Sequence, residues 1–304
     1  MNDKKKIKQH PPNTFTPVRE AMDQAFSGFD RFHSGVNPRS DLSSSFDFMN
    51  DLFIRRENPR FSIVSVPVNA GGTKYLGASL TGELAVRFDR KIACFSMQVS
   101  SSYYSTIMLT RRANVNHDLM LAGKVPSEQW PRLSTCAGQL SEADIYINDT
   151  RIQSVKSIRN TVKKLMGESE IDLIVIDNLQ HVSDEKKHGN SAPACENICQ
   201  SLLELSFELN VAILLLSQFA EGYDSDNIDE AHDCELLQFH QNYGRLADAE
   251  LCLIPIESDR EESFFDLHLY RNRQGQTGTM KLMRIPGGVG FMERVILKAK
   301  SSSE

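Results

Sequence analysis

An acidic residue directly after an unbroken apolar run is the strongest chemical signal in this sequence. Residues 173–176 read Leu-Ile-Val-Ile without alternation, and Asp177 comes next. A continuous apolar run is typical of a strand that is covered on both faces, as in the parallel sheets of α/β proteins. A carboxylate at the end of such a strand is costly to bury without a cation or a donor. Asp177 is therefore predicted either to hold Mg²⁺ on a bound nucleotide or to be a hydrogen-bonded residue at a strand end.

A second candidate site lies at residues 66–73, which read Val-Pro-Val-Asn-Ala-Gly-Gly-Thr. The segment joins a predicted strand to a predicted helix, and a glycine turn in this setting directs backbone N–H groups at phosphates. The usual phosphate loop ends in Gly-Lys-Ser/Thr, where the lysine neutralises phosphate charge. Here Gly72 stands in place of that lysine, so a nucleotide site and a simple tight turn both remain open. The candidate nucleotide-binding residues are Asn69, Ala70, Gly71, Gly72 and Thr73, and the Thr73 hydroxyl is also a candidate Mg²⁺ ligand.

The composition limits the kind of protein without locating a site. The chain has 304 residues, of which 40% are hydrophobic, which is enough for one large α/β core. Its formal net charge is −6, so any DNA contact must come from a local patch or from an assembled ring. No apolar run approaches a membrane span of about 18 residues, and no signal peptide is recognisable. We therefore expect a soluble, cytoplasmic protein without membrane contacts, in which Cys195 and Cys199 are packing thiols.

Segments with strand and helix patterns alternate along the chain. Strands are predicted at residues 61–66, 92–96, 145–147, 171–177, 211–217, 251–256, 264–270 and 280–284, and helices at 74–86, 102–113, 127–139, 154–166 and 194–208. This order predicts an α/β fold with a mostly parallel twisted sheet flanked by helices, and with antiparallel strands at the C-terminal edge.

One main domain is expected at residues 29–298. Residues 1–14 are polar and carry a run of lysines, which predicts a disordered basic arm. Apolar residues recur at four-residue spacing between positions 18 and 26, which predicts a short amphipathic helix at residues 15–28. The tail at residues 299–304 is expected to fray.

Several segments, taken in order, resemble the motor domain of the DnaB-type replicative DNA helicases, a hexameric branch of the RecA-like ATPases. Residues 95–100, Phe-Ser-Met-Gln-Val-Ser, resemble the family's Phe-Ser-Leu-Glu-Met-Ser segment, and residues 121–150 are similar over their whole length. The other segments in the series are 26–35, 173–180, 209–218 and 271–279. The resemblance covers residues 25–292 and implies a RecA-like sheet, with the helix at 15–28 in the place of a linker helix that packs on a neighbouring subunit.

The resemblance also implies a role for each matching residue. Asp177 would be the Walker-B acid on Mg²⁺, and Gln218 would sense the γ-phosphate and couple it to the DNA loops. Arg273 would be an arginine finger that reaches the nucleotide of the adjacent subunit, with Arg271 beside it where the family has a lysine. A guanidinium suits this task because its fixed fork stabilises charge on the transferring phosphoryl oxygens. A solvated arginine on a hairpin is the alternative for Arg273.

Two departures from the family pattern concern catalysis. Gly72 replaces the loop lysine, and Gln98 replaces the glutamate that polarises the attacking water. Glutamine can orient a water molecule but cannot take its proton, and a general base typically contributes ~10²–10⁴-fold. Loss of a phosphate-neutralising cation removes electrostatic stabilisation of comparable size. The catalytic candidates are then Gln98, Gln218 and Arg273, and hydrolysis is expected to be impaired.

A third departure concerns DNA. The family's channel-facing Asp-Leu-Arg-Glu-Ser-Gly segment falls on residues 238–243, Gln-Phe-His-Gln-Asn-Tyr, where His240 replaces the arginine. His240 and Gln241 can still hydrogen-bond to a nucleic-acid backbone, and Arg245 is the nearest positive charge. The acidic stretch at residues 224–235 argues against such binding. The candidates for single-stranded DNA binding are His240, Gln241 and Arg245.

The resemblance implies ATP and Mg²⁺ as cofactors, either weakly bound or lost, and a hexameric ring or an association with a replicative helicase as the assembly. Residues that would serve the chain's own nucleotide have changed, whereas Arg273, which would serve a neighbour's nucleotide, is retained. We therefore expect a DnaB-like protein of DNA replication with impaired or absent ATP hydrolysis, which acts as a nucleotide-binding or DNA-binding regulatory partner. The alternative is an active 5′-to-3′ ATP-dependent replicative helicase with a variant phosphate loop.

Overall fold

The computed structural model describes residues 49–50, 52, 60–67, 72–183, 192–219, 244–256, 264–273, 277–284 and 291–293. All of them lie within the unit that spans Ser44–Glu304. The arm, helix and tail predicted at residues 1–14, 15–28 and 299–304 lie outside the described residues, and these assignments stay predictions.

A nine-stranded sheet forms the centre of the described structure, with the strand order β11-β10-β9-β8-β1-β7-β5-β2-β3. The strands, in chain order, are β1 (Phe61–Pro67), β2 (Ile92–Ser96), β3 (Ile145–Asn148), β4 (Gln153–Ser154), β5 (Leu173–Asp177), β6 (Val182–Ser183), β7 (Ala212–Phe219), β8 (Ala249–Ile256), β9 (Phe264–Asn272), β10 (Gly278–Arg284) and β11 (Phe291–Glu293). Pairing is parallel from β3 to β8 and antiparallel from β8 to β11. Strands β4 and β6 form a separate two-stranded ribbon.

Helices pack on both faces of this sheet. They are α1 (Thr73–Phe88), α2 (Ser101–Ala113), α3 (His117–Leu121), α4 (Trp130–Glu142), α5 (Val155–Met166) and α6 (Ala192–Leu209). Their ends follow local chemistry, because the side chains of Ser100 and Ser154 accept backbone N–H bonds at the N-termini of α2 and α5. Asp89 and Asn114 close α1 and α2 in the left-handed conformation.

Alternate residues of the central strands enter two separate cores. Val175 and Leu214 pack with α1 and α2 on one face, and Ile174 and Ile213 pack with α5 and α6 on the other. Both faces of β5 and β7 are therefore covered, which is the physical reason for their unbroken apolar runs.

The predicted fold class is confirmed, since the sheet is mostly parallel and its C-terminal edge is antiparallel. The structure adds β11, the β4–β6 ribbon and α3, which are too short to produce a clear periodicity. The helix predicted at residues 127–139 is divided into a 3₁₀ turn, Ser127–Gln129, followed by α4.

The predicted packing thiols are found in the core. Cys195 and Cys199 are buried thiols in the cluster between α6 and the sheet. None of the described helices is long and apolar enough to cross a membrane.

Candidate functional site

The carboxyl ends of β1, β2, β5 and β7 meet at one edge of the sheet, and five of the eight candidate residues that the structure describes lie there: Gly72, Thr73, Gln98, Asp177 and Gln218. The register pairs Asp177 with the last residue of β2 and with a residue of β7 that lies two positions before Gln218. Thr73 begins α1 beyond the end of β1, and Gln98 follows β2. Because parallel strands end at the same edge, the fold brings together four side chains that are distant in the sequence.

Thr73, Gln98 and Asp177 form a closed hydrogen-bonded cluster, to which we refer as the Thr73–Asp177 cluster. The Thr73 hydroxyl donates to Asp177 Oδ1. Gln98 Nε2 donates to Thr73 Oγ1 at 2.8 Å and to Asp177 Oδ1 at 3.3 Å, and Asn178 Nδ2 donates to Thr73 Oγ1 at 3.3 Å. A hydroxyl has one hydrogen to donate and two lone pairs. The Thr73 hydroxyl is therefore fully used by its three partners.

The two oxygens of the buried Asp177 carboxyl have different surroundings. Oδ1 accepts the bonds of the cluster, whereas Oδ2 has no hydrogen-bond partner among the described residues. Oδ2 lies 3.5 Å from the position that a Cβ on Gly77 would take, so it is directed at α1. Burial raises the pKa of Asp177 from its ordinary 3.8 to about 7, against the opposing effects of Thr73, Lys74 and Gln98. The buried carboxyl is thus much easier to protonate than an exposed aspartate.

Gly72 adopts a backbone conformation that is strained for any residue with a Cβ atom. Its φ is 78° and its ψ is 173°, in a region that essentially only glycine occupies. A Cβ at this position would lie 2.8 Å from Gln218 Nε2. The departure from the usual phosphate loop is therefore a difference of backbone conformation as well as a missing lysine.

Lys74, the nearest lysine to the missing one, is held beside an aromatic ring. Its ammonium lies 5.1 Å from the centroid of the Tyr75 ring, within the range of a cation–π contact. Its charge contributes to lowering the pKa of Asp177 but does not cancel the effect of burial. Lys74 therefore stands close to the Thr73–Asp177 cluster without replacing the loop lysine in it.

Gln180, for which the sequence indicated no role, fixes the backbone of Gln218. Gln180 Nε2 donates to the Gln218 carbonyl at 2.9 Å and to Ser217 Oγ at 3.1 Å, while its Oε1 accepts from the Gln218 N–H at 3.2 Å. These bonds join the turn after β5 to the end of β7. The available signal was the position of Gln180, which is a polar residue three positions after Asp177 in the turn that follows β5.

Replacement of this amide provides a stability test. We expect Gln180→Leu to lower the free energy of unfolding by ~1–3 kcal/mol, because it leaves backbone groups of Gln218 without partners. Urea denaturation measures the change. Gln200→Leu is the matched control, since that amide bonds to Glu204 on the exposed surface of α6 and should change stability by less than ~0.5 kcal/mol. Equal losses in the two variants would contradict the assignment.

The two candidate arginines lie at the end of β9 and are held by the turn that precedes β8. Arg271 Nη1 donates to the Arg245 carbonyl at 2.6 Å, and Arg273 Nη2 donates to the same oxygen at 3.1 Å. Arg273 Nη1 also lies 3.5 Å from Asp248 Oδ1, and its side chain is 50% exposed. Asp248 Oδ2 in turn accepts from the Phe61 N–H at 3.1 Å. The guanidinium of Arg273 is thus tied to Asp248 and to the Arg245 carbonyl, while half of the side chain is exposed.

Arg273 does not join the Thr73–Asp177 cluster. Strands β9 and β5 are four positions apart in the sheet, which corresponds to ~19 Å at about 4.8 Å per strand. Asn272 pairs with Ala249, which pairs with the second residue of β1, so Arg273 lies near the amino-terminal end of the parallel strands. An arginine side chain is too short to bridge this separation.

Part of the predicted site falls outside the described residues. This holds for Asn69, Ala70 and Gly71 of the phosphate loop and for the DNA-binding candidates His240 and Gln241. The third DNA-binding candidate is described: Arg245 Nη2 lies 2.7 Å from Glu196 Oε1, and its side chain is 59% exposed. Its contact with DNA stays a prediction.

The described residues do not form a ready Mg²⁺ site. No group of three or more His, Cys, Asp or Glu side chains that could hold a metal occurs in the part of the chain that the structure describes. The two predicted ligand atoms, Thr73 Oγ1 and Asp177 Oδ1, are already bonded to each other and to the Gln98 amide. As arranged, these residues do not fit the cation.

A mostly parallel sheet with an antiparallel edge, in which Gly72 precedes α1 and Asp177 ends strand β5, has the RecA-like fold. Residues 42–292 match the family described as the DnaB-like helicase C-terminal domain, and the chain belongs to this family.

The relatives of this chain are replicative helicases. It is 23% identical over 283 residues to the replicative DNA helicase DnaB of Geobacillus stearothermophilus, a match that covers 88% of this chain and 60% of the relative. It is 24% identical over 213 residues to the replicative DNA helicase DnaC of Bacillus subtilis strain 168, with 70% and 47% covered. The chain thus spans between about half and three fifths of the length of these relatives.

Solved structures support the same fold. One that is described as an ATPase domain matches with a TM-score of 0.75 at 17% identity, covering 93% of this chain and 100% of that domain. A DnaB-like replicative helicase, described with its interactions with primase, matches with a TM-score of 0.68 at 18% identity, covering 87% of this chain and 68% of that one.

Proposed function

We propose that this DnaB-family domain hydrolyses ATP too slowly to drive DNA unwinding, or not at all, and serves DNA replication as a nucleotide-binding or DNA-binding regulatory partner in an assembly. The observation that carries the proposal is the hydrogen bonding of Gln98, which stands where the family has its catalytic glutamate. Its amide donates to both Thr73 and Asp177. A neutral amide whose N–H groups are held in this way offers no basic atom that could accept a proton from water.

Two further features of the pocket support slow hydrolysis. Gly72 places no cation in the loop, and its backbone angles differ from any that a lysine would adopt without strain. Lys74 is held over Tyr75. General-base catalysis and electrostatic stabilisation of phosphoryl transfer each raise the rate of ATP hydrolysis ~10²-fold or more. Loss of both therefore leaves only slow hydrolysis.

The position of Arg273 supports a role in an assembly. Its side chain is 50% exposed, is anchored to Asp248 and to the Arg245 carbonyl, and lies about four strand positions from the chain's own cluster. A half-exposed guanidinium has further N–H groups that could stabilise charge on a neighbouring subunit's nucleotide. The chain would then supply a guanidinium to a neighbour's nucleotide, while ATP hydrolysis in its own pocket stays slow.

ATP turnover by the purified chain tests the proposal. We expect a rate at least ~10²-fold below that of an active DnaB-type helicase in the same Mg²⁺ buffer, both with and without single-stranded DNA. Rapid turnover that single-stranded DNA stimulates would contradict the proposal and favour the active 5′-to-3′ helicase.

Mixing experiments test the regulatory part. At equal molar amounts with a DnaB-type helicase from the same organism, we expect the wild-type chain to support a severalfold higher ATP turnover than the Arg273→Ala chain, because the neighbouring nucleotide loses a guanidinium. Arg159→Ala is the matched control, since Arg159 is a partly exposed arginine that pairs with Glu208 on another surface. Equal turnover with all three chains would exclude Arg273 from this role.

A further inference from the structure

We propose that Gln98 excludes Mg²⁺ from the Thr73–Asp177 cluster, with its side-chain amide occupying the position between the two oxygens that would otherwise bind the cation. The inference rests on the proposed function in one respect, because both concern the same pocket. It goes further because it names the residue that keeps the cation out and states that the cluster binds no divalent metal ion.

The first step is the valence of the Thr73 hydroxyl. Its hydrogen is donated to Asp177 Oδ1, and its two lone pairs accept from Gln98 Nε2 at 2.8 Å and from Asn178 Nδ2 at 3.3 Å. A hydroxyl that binds a cation must direct a lone pair at it. In this structure both lone pairs are used by N–H donors, so Thr73 offers nothing to a metal.

The second step is the orientation of the Asp177 carboxyl. Oδ1, the oxygen that faces the cluster, accepts from Thr73 and from Gln98 Nε2 at 3.3 Å. Oδ2 is buried and points towards Gly77 in α1, where a Cβ would be only 2.7 Å from a Leu216 methyl group. Oδ2 has almost no solvent-accessible surface, so a hydrated cation does not reach it in this arrangement. Both oxygens are therefore withheld from a metal, one by donors and the other by packing.

The third step is the charge of the Gln98 amide. Its N–H hydrogens carry partial positive charge and satisfy both oxygens at once, as a small cation would, but without the full charge that phosphate neutralisation requires. Mg²⁺ demands near-octahedral oxygen coordination at about 2.0–2.1 Å. To bind here it would have to displace the Gln98 amide and offset the loss of both hydrogen bonds. A glutamate at position 98 would instead add a second carboxylate within reach of Asp177, which favours a cation.

Direct titration with Mn²⁺, followed by electron paramagnetic resonance on the purified full chain without nucleotide, tests the inference. The proteins are the wild-type chain, Asp177→Asn, Gln98→Glu and the Gln98→Glu, Asp177→Asn double variant. We expect the wild-type and Asp177→Asn chains to bind equal amounts of Mn²⁺, which form the background because none of these ions is held by Asp177. Gln98→Glu should bind one additional ion per chain at least ~10-fold more tightly than that background, and the added Asp177→Asn change should remove it.

Two outcomes would overturn the inference. One is an Mn²⁺ ion on the wild-type chain that is lost in Asp177→Asn, and the other is a folded Gln98→Glu chain that gains no ion. Circular dichroism verifies folding, and if Gln98→Glu does not fold, the comparison of the wild-type chain with Asp177→Asn decides alone. Slow ATP turnover with Mn²⁺ bound at Asp177 would contradict this inference only. Fast turnover with no such ion would contradict the proposed function only.

Discussion

The Gly72→Ala variant is expected to unfold with a free energy ~1–3 kcal/mol lower than that of the wild-type chain. The cause is the backbone, since φ 78° and ψ 173° place Gly72 in a region where a Cβ is strained. The new methyl group would also meet Gln218 Nε2 at 2.8 Å, but that amide is the end of a flexible side chain and can move. Urea denaturation measures the loss.

Gly82→Ala is the matched control, because Gly82 lies inside α1. A Cβ there would touch the Met108 side chain at an ordinary 3.5 Å. Alanine is favoured over glycine in a helix by up to about 1 kcal/mol, so this variant should be as stable as the wild-type chain or more stable. A Gly72→Ala chain that matches or exceeds the wild-type stability would show that the strained backbone is not a property of the protein in solution.

The same geometry predicts the outcome of restoring the family residues. The Gly72→Lys, Gln98→Glu double variant should regain little ATP turnover, within about tenfold of the wild-type rate, because a lysine at position 72 meets the same backbone strain as alanine. The matched comparison is Gln98→Glu alone in the same assay. Turnover in the double variant that approaches that of an active DnaB-type helicase would show that the loop relaxes around the lysine.

The contribution of Asp177 to the stability of the chain is expected to fall as the pH rises through the acid range, and Asp177→Asn should abolish that fall. Burial raises the pKa of Asp177 to about 7, whereas the unfolded chain has the ordinary value of 3.8. Between these two values Asp177 binds more protons in the folded chain than in the unfolded chain, so its contribution to the free energy of unfolding decreases with increasing pH and becomes level above about pH 7.

The size of the effect follows from the shift. One pKa unit corresponds to about 1.4 kcal/mol, so the contribution of Asp177 falls by roughly 3 kcal/mol between pH 5 and pH 8. Asparagine carries no charge and avoids this loss, so Asp177→Asn should be the more stable chain at pH 8.

Urea denaturation at pH 5 and pH 8, in chelator so that no metal contributes, measures the difference. Asp89→Asn is the control, because Asp89 is an exposed residue in the left-handed conformation that asparagine tolerates, and its pH dependence should parallel the wild-type chain. Parallel curves for the wild-type chain and Asp177→Asn would mean that Asp177 stays ionised throughout, and would contradict the assigned pKa.

Much of the fold could be predicted because its signals are local. The unbroken apolar runs of β5 and β7 require cover on both faces, and such cover is found on the two faces of the sheet. Short elements were missed, including β11 with only Phe291–Glu293, because three residues cannot show a periodicity. Strand order was also beyond local reasoning, since it depends on which distant strands pair.

The sequence by itself determined the residue types that meet at the pocket: an acid after an apolar strand, a glycine in place of a lysine, and a glutamine in place of a glutamate. Residue type decides charge and proton chemistry, and these are properties of the side chain alone. Only the tertiary structure decided that the Gln98 amide bonds to both Thr73 and Asp177, that Gln180 fixes Gln218, and that Arg273 lies far from the cluster. The physical reason is that hydrogen bonds, burial and strand register depend on distances between segments that are remote in the chain, and those distances exist only in the folded protein.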